Sequence, residues 1–352
     1  MKICEWLDSA TRQLQAAGVD SARLDAELLL TDVLGKPREW ILAHIDTSLQ
    51  ATNLQGLDAL LARRLGGEPM AYIFGRKEFY GRDFTVTPDV LIPRPETEQL
   101  IEIIKELFMR SAHDTSSNVS SSGPLQPPSP DEPSNFPDNF TKNLLSSAST
   151  SLTPHGAPDK DSSKLCRENW SGEVGGWGCD KSSIQILDVG TGSGVIAVTL
   201  ALELPNAQIH ASDISDEALR VAKQNAKILS ANVKFVKSDL LQNINDKFDI
   251  IVANLPYIAR EWEISPDVTR EPEIALFAND GGLEFIKKLI RQTPEHLKSD
   301  GLLILELDPR QINATKKFAI TYNFIVIDEK PFALTLKLLK RCRVPEPVEQ
   351  KQ

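Results

Sequence analysis

A chain of 352 residues exceeds one average domain and corresponds to roughly two at about 150 residues each, which excludes a mini-protein or a disulfide scaffold. Its 39 Lys and Arg against 49 Asp and Glu give a net charge of −10, so no global positive field exists to hold a polyanion such as duplex DNA, and a nucleic-acid partner would need a local basic patch. The four cysteines, Cys4, Cys166, Cys179 and Cys342, form no CxxC pair, which argues against a structural zinc or redox site and fits a reducing compartment. The N-terminus carries Glu5 and Asp8 and lacks an uninterrupted apolar segment, unlike a secretory signal or an Arg-rich transit peptide. No apolar run approaches the roughly 20 residues that span a bilayer, so a soluble, cytoplasmic protein is expected.

Residues 1–66 predict a small helical domain. Ile3, Trp6, Leu7, Ala10 and Leu14 fall on one helical stripe, Gly18 is a stop, and Asp20 or Ser21 can cap a second helix over Ala22–Leu34 that ends at Gly35 before Pro37. Two further helices are expected near Glu39–His44 and Asn53–Leu65. His44 sits among Ile41, Leu42 and Ile45 and reads as a packed or surface histidine, because no second metal-type residue is spaced to join it. Residues 67–98 alternate Phe79, Phe84 and Val86 with the turn residues Gly75, Gly81 and Pro88, which predicts a β-hairpin connector. An amphipathic helix over Gln99–Met109, within a 99–110 segment, follows.

Residues 111–183 are rich in Ser, Pro and Asp and hold eight of the 22 prolines. Such a stretch cannot bury enough surface to offset its ordering entropy and predicts a disordered insertion. A docking or phosphorylation segment is the functional reading of it, and a tolerated surface loop the plain one. From 184 to 342 apolar strand-like runs alternate with helices: strands at 184–190, 207–213, 233–239, 248–256 and 301–307, and helices near 194–203, 215–229 and 281–298. Strands buried on both faces and joined by crossover helices predict an α/β, doubly wound, Rossmann-like sheet. The late runs 324–329 and 332–339 are separated only by Lys330–Pro331, too short for a parallel crossover, so they must pair antiparallel. Residues 343–352 form a tail.

The chemistry begins at Asp188-Val-Gly190-Thr191-Gly192-Ser193-Gly194, between a strand and a helix. Glycines there let the backbone turn tightly and approach a nucleoside, although many strand–helix turns use glycine for the turn alone. Asp213 ends the second strand, 23 residues after Gly190, where a carboxylate can accept from both ribose hydroxyls. The spacing is not G-x-G-x-x-G, so pyrophosphate binding is poorly supported. Asp239 ends the third strand and suits an adenine amino group, its alternative being a turn-forming Asp. A nucleoside without phosphate, S-adenosylmethionine, fits this set best, and no residue cluster predicts a metal. Asn254-Leu255-Pro256-Tyr257 ends the fourth strand. The Asn254 side-chain oxygen and the Leu255 carbonyl offer two acceptors for the protons of a planar NH2 group, which selects an amide or an exocyclic amine. Pro256 stiffens the loop and Tyr257 offers a flat face; an Asn-x-Pro turn ending a strand is the plain alternative.

These residues resemble methyltransferases acting on amino groups. Leu91-Ile92-Pro93-Arg94-Pro95-Glu96-Thr97-Glu98, the upstream Gly67-Glu68-Pro69-Met70-Ala71-Tyr72, Arg270-Glu271-Pro272 through Ala275-Leu276, and Gly281-Gly282-Leu283 narrow the resemblance to the release factor glutamine methyltransferases, the HemK/PrmC family. It covers nearly the whole chain outside about 111–183. It implies a class I S-adenosylmethionine-dependent methyltransferase with a helical recognition domain, whose substrate is the glutamine of the GGQ motif in class I peptide chain release factors, tuning translation termination. It also implies a cofactor set of Asp188, Gly190, Thr191, Gly192, Ser193, Gly194, Asp213, Asp239, Leu240 and Asn254, and a substrate and catalytic set of Asn254, Leu255, Pro256 and Tyr257. Neither a membrane nor a direct nucleic-acid substrate is expected. Leu255 stands where the family usually has Pro, and Asn-Leu-Pro-Tyr also resembles dimethyladenosine rRNA methyltransferases; an adenine-N6 methyltransferase is therefore the main alternative, and a cofactor-dependent binding module the non-enzymatic one. Arg94, Glu96 and Glu98 can order the rim of the site or simply enrich a helix N-terminus in acids.

Overall fold

The computed structural model of the protein describes residues 1–116 and 183–339. The expectations for the insertion beyond residue 116 and for the 343–352 tail lie outside the described residues. Four helices open the chain: α1 (Ile3–Ala16), α2 (Ala22–Leu34), α3 (Arg38–Ala43) and α4 (Ala51–Leu65). The apolar stripe of α1, Ile3, Trp6, Leu7, Ala10 and Leu14, is buried in one cluster with Leu29 and Leu30 of α2 and Leu57 and Leu61 of α4. His44 is exposed and stacks on Trp40 with ring centroids 4.2 Å apart.

The segment expected as a hairpin connector first makes a short helix, α5 (Met70–Phe74), and then the hairpin β1 (Arg76–Phe79) and β2 (Arg82–Thr85), antiparallel with Phe79 opposite Arg82. Its two-residue turn places both Tyr80 (φ 53°) and Gly81 (φ 71°) in the left-handed region, the conformation a tight hairpin needs. Tyr80 tolerates it because its backbone N–H donates to Glu98 Oε1 at 2.9 Å. The following helix, α6 (Glu98–Ser116), runs past the expected end at Met109. The sequence from Met109 onward carries no glycine or proline until Gly123 and Pro124, so composition marked a helix end where no stop signal exists.

The remainder alternates strand and helix: β3 (Gln185–Val189), α7 (Val195–Glu203), β4 (Gln208–Asp213), α8 (Asp216–Ile228), β5 (Val233–Lys237), β6 (Phe248–Asn254), β7 (Ile258–Ala259), α9 (Glu273–Leu276), β8 (Phe277–Ala278), α10 (Glu284–His296), β9 (Leu297–Glu306), α11 (Ile312–Ile320), β10 (Phe324–Lys330) and β11 (Ala333–Leu338). Seven strands form one sheet in the order β10-β11-β9-β6-β3-β4-β5. β3, β4, β5, β6 and β9 run parallel, and β10 and β11 close the edge as an antiparallel hairpin. β3 is flanked by β4 on one side and β6 on the other, so the strand order reverses there, and the carboxyl ends of β3, β4 and β6 frame the crevice where such sheets bind ligands. β7 pairs with β8 in parallel, folding the segment after Tyr257 back along itself.

Candidate active site

The glycine loop after β3 turns through Gly190, Gly192 and Gly194, all left-handed, and leads into α7. Asp188 lies beneath this loop rather than in it. It is wholly buried, and its Oδ2 accepts from Thr191 Oγ1 at 2.6 Å and from the Ala197 N–H at 3.2 Å. Burial outweighs those donors and pushes its carboxyl up to about 7. Asp213, at the end of β4, anchors the loop from the other side: its Oδ2 accepts from Gly192 N and its Oδ1 from Ser215 N, both at 2.9 Å. Burial raises its carboxyl as well, against the backbone donors Ser215, Gly192 and Ile214. Asp239 follows β5 on the same edge, exposed, with Oδ2 accepting from Gln242 Nε2 at 3.1 Å. Beside it Leu240 is buried at a φ of 50°, a strain that non-glycine residues hold where the surroundings over-determine the backbone.

Asn254 ends β6, in register with Glu306 at the end of β9. Its Nδ2 donates to Thr97 Oγ1 at 3.1 Å, so the Leu91–Glu98 motif and the Asn254–Tyr257 motif meet in one hydrogen bond across 157 residues of chain. With Nδ2 so used, Oδ1 remains as an acceptor. Leu255 buries its side chain in the sheet core and contributes only backbone to the crevice; a Cβ on Gly190 would meet its Cδ2 at 2.9 Å, so the glycine loop rests directly on residue 255. Tyr257 is half-buried, and burial together with the nearby Glu306 pushes its phenol upward. The Tyr257 carbonyl accepts from Gln311 Nε2 at 2.8 Å, and the same nitrogen donates to Gly281 O at 2.9 Å.

The remaining motifs hold these loops in place. Glu271 is buried; its Oε2 accepts from Ile92 N at 2.9 Å and its Oε1 pairs with Arg94. Arg64, buried in α4, donates through Nε to Asp25 at 2.7 Å and through both terminal nitrogens to Asp267 at 3.0 and 3.1 Å. Arg270 Nη2 donates to Gly66 O at 2.8 Å. Asn225 of α8, also buried, gives Nδ2 to Thr85 O at 2.9 Å and Ser193 O at 2.8 Å and takes the Thr85 N–H at 2.8 Å, joining the hairpin to the glycine loop.

The residues singled out in sequence thus converge on one sheet edge, at four successive strand ends. Of the proposed rim residues, Arg94 pairs with Glu271, Glu98 holds the hairpin turn, and Glu96 is exposed. Thr97 and Glu271 stood in the quoted motifs without an assigned role, and Asn225, Glu306 and Gln311 escaped sequence reasoning; in Glu306 the signal was there, a single carboxylate closing the apolar run Leu302–Leu305 beside the strand of Asn254. The donor set fits S-adenosylmethionine: a backbone loop with no added Cβ to obstruct it at Gly192, and carboxylates at Asp213 and Asp239 that suit hydroxyls and an amine but repel phosphate. Among the described residues no group of His, Cys, Asp and Glu is placed to hold a metal ion, and no helix is long and apolar enough to cross a membrane.

Known proteins resemble this chain over most of its length. The family described as PrmC N-terminal domain matches residues 5–75, and that described as methyltransferase small domain matches residues 179–271. The release factor glutamine methyltransferase of Koribacter versatilis (strain Ellin345) is 36% identical over 315 residues, covering 87% of this chain and 86% of that protein. That of Vibrio cholerae serotype O1 is 33% identical over 311 residues, 85% of this chain and 82% of that protein. The bifunctional methyltransferase of Rickettsia bellii (strain RML369-C) is 33% identical over 333 residues; that alignment takes in 92% of this chain but 51% of the relative, so the chain spans about half its length. Since two of these relatives exceed 30% identity and align over more than four fifths of both chains, the chain belongs to the release factor glutamine methyltransferase family, which takes its methyl group from S-adenosylmethionine.

Proposed function

We propose that this chain transfers the methyl group of S-adenosylmethionine to the side-chain amide nitrogen of the glutamine in the Gly-Gly-Gln motif of class I release factors, and so tunes translation termination in the cytoplasm. The observation that carries the reading is Asn254, whose Nδ2 is committed to Thr97 while Oδ1 and the neighbouring Leu255 carbonyl stay available as two acceptors. An amide nitrogen is a poor nucleophile because its lone pair is delocalised into the carbonyl. Orientation is therefore the larger part of the task, and in well-aligned systems it supplies about 7–11 kcal/mol of the barrier. Bound S-adenosylmethionine supplies an electrophilic methyl carbon. Asn254 and the Leu255 carbonyl hold the two N–H bonds so that the nitrogen lone pair faces the donor, and they stabilise the positive charge that grows on nitrogen as the new N–C bond forms. Held by the Gly190–Gly194 loop and by Asp213 and Asp239, S-adenosylmethionine would supply the methyl group and keep the bonding pair on its sulfur, and the methylated amide nitrogen would give up one proton to solvent.

The helical segment 1–66 is assigned to recognition of the release factor, with 67–98 as its connector and 184–342 as the methyltransferase domain. Its support is Arg64, which ties α4 to Asp267 in the segment downstream of Tyr257. Incubating purified class I release factor with the enzyme and S-adenosylmethionine, then sequencing the Gly-Gly-Gln peptide by mass spectrometry, is expected to show one added methyl on glutamine. Asn254→Ala is expected to lower that rate at least about 100-fold, the scale of a lost transition-state hydrogen bond. Methylation of rRNA adenine in place of the peptide, or full activity in the variant, overturns the reading.

A further inference from the structure

Glu306 is a carboxyl that the transfer step does not use, yet it stands beside the residue that does. It ends β9 in register with Asn254, is 2% exposed, and leaves Oε2 buried without a hydrogen-bond partner. A buried, unpartnered carboxylate oxygen is costly and calls for a donor. The Thr97 hydroxyl, the Asn254 amide and the Tyr257 hydroxyl face it. Thr97 Oγ1 already accepts from Asn254 Nδ2, so the hydroxyl proton is what Thr97 has left to give.

We propose that Glu306 and Thr97 are positioning residues that fix which way the Asn254 amide points: ionised Glu306 accepts a hydrogen bond from the Thr97 hydroxyl, Thr97 Oγ1 accepts one from Asn254 Nδ2, and Oδ1 is left facing the substrate amine. This deepens the function proposed above and rests on it for the identity of the substrate, but the relay itself is a property of the chain. The relay is directional because a carboxylate only accepts and a hydroxyl has one proton. Protonated Glu306 becomes a donor to Thr97 Oγ1. The Thr97 proton then turns to Asn254 Oδ1, the amide reverses, and Nδ2 meets the N–H groups of the substrate as donor against donor.

Burial raises the Glu306 carboxyl to about 7 and the neighbouring Glu96 adds to that, while Thr97, Asn254 and Tyr257 pull it back. The other groups nearby are Arg94 and Asp308, which act on the neighbouring Tyr257 in opposite senses, and the β11 register partner of Glu306 is the uncharged Ala333. The switch therefore operates near neutrality, with the enzyme active on the alkaline side.

The test combines kinetics with a readout that needs no substrate. With purified unmethylated release factor, wild-type kcat is expected to rise with pH to a plateau, with a midpoint near the Glu306 value of about 7. Glu306→Gln is expected to abolish that limb, and Thr97→Val to lower kcat about 10- to 100-fold, as for a buried polar group set in the wrong sense. Thr97→Ser is expected to restore the rate, with S-adenosylmethionine affinity unchanged throughout. In the substrate-free protein, the side-chain NH2 resonances of Asn254 are expected to titrate in wild type and not in Glu306→Gln. An unchanged limb in Glu306→Gln, equal rates for Thr97→Val and Thr97→Ser, or Asn254 resonances indifferent to pH overturns the relay. Wild-type protein whose Asn254 titrates but which leaves release factor unmethylated supports the relay and overturns the substrate instead.

Discussion

Gly282 marks the tightest backbone approach in the crevice. It is left-handed at φ 85°, and an added Cβ would collide with the Tyr257 carbonyl oxygen and with Gln311 Nε2, the pair whose hydrogen bond holds the Tyr257 loop. Gly192 is also left-handed, at φ 54°, but a Cβ there meets nothing within 4 Å. The two therefore separate conformational strain from collision. Gly192→Ala is expected to cost about 1–2 kcal/mol for the left-handed backbone, whereas Gly282→Ala adds overpacking and is expected to cost about 2–4 kcal/mol, measured as the difference in unfolding free energy from denaturant titration. Equal costs would mean the Tyr257 loop yields without resistance. The same contrast explains what the sequence shows of the site. Gly281-Gly282 is visible because glycine advertises a backbone constraint, and Asn254 because its motif is compact. Glu306, Thr97 and Gln311 act through partners that are 52, 157 and 54 positions away in the chain, and no local spacing encodes such contacts. Asp188 was legible as part of the cofactor loop, but its total burial, which makes it the loop's support, follows from the sheet alone.

Elements built on strong periodicity are where the sequence spoke most clearly. The predicted helix Ala22–Leu34 matches α2 at both ends, and the strands at 184–190, 207–213 and 324–329 match β3, β4 and β10 to within one residue. The hairpin of β10 and β11 pairs antiparallel, as two intervening residues require. α5 and α11 went unseen for different reasons. Met70–Phe74 is a single turn too short to display a period, and Ile312–Ile320, nine residues directly behind the Pro-containing turn Pro309–Gln311, was assigned no element. How the elements are fastened was less legible still, and Asn225 is the clearest case. Its amide bridges α8, β2 and the glycine loop through three hydrogen bonds while 1% exposed. Asn225→Ala leaves the Thr85 N–H and two carbonyls without partners, at about 0.5–1.5 kcal/mol for each bond. The expected result is a lower denaturant midpoint and faster hydrogen exchange at the Thr85 amide, with exchange in the distant β9–β11 pairing speeding up by no more than the drop in global stability accounts for. A Thr85 amide that stays protected would show that the hairpin needs no such fastening.

Charge gives the molecule a stability profile set by opposing groups. The net charge of −10 includes −4 from residues 111–183, where nine acids face five bases, so the rest of the chain carries −6 and the case for a protein substrate rests on the site rather than on charge. Inside the fold the carboxyls divide. Burial raises Asp188 and Glu306 to about 7 each, so the stability they confer is complete below the ordinary carboxylate range of about 4 and is lost as pH rises through about 7. The Glu27 carboxylate, though buried, is held low by Arg38 and Arg23, as Glu203 is by Lys105 and Arg82; their stability is present above about 4.3 and lost as pH falls. His210 and His296, pushed down by burial, favour the fold once pH exceeds about 6.5 and oppose part of the loss from Asp188 and Glu306. Together these place the maximum near pH 5, with a decline toward neutrality that two carboxyls dominate. A shift from the ordinary range to about 7 corresponds to roughly 3–4 kcal/mol for each. The double variant Asp188→Asn, Glu306→Gln removes both titrations. Subtracting its unfolding free energy from that of wild type between pH 5 and pH 8 is expected to leave a difference that falls steadily by several kcal/mol, whereas a flat difference would mean that neither carboxyl changes its protonation on folding.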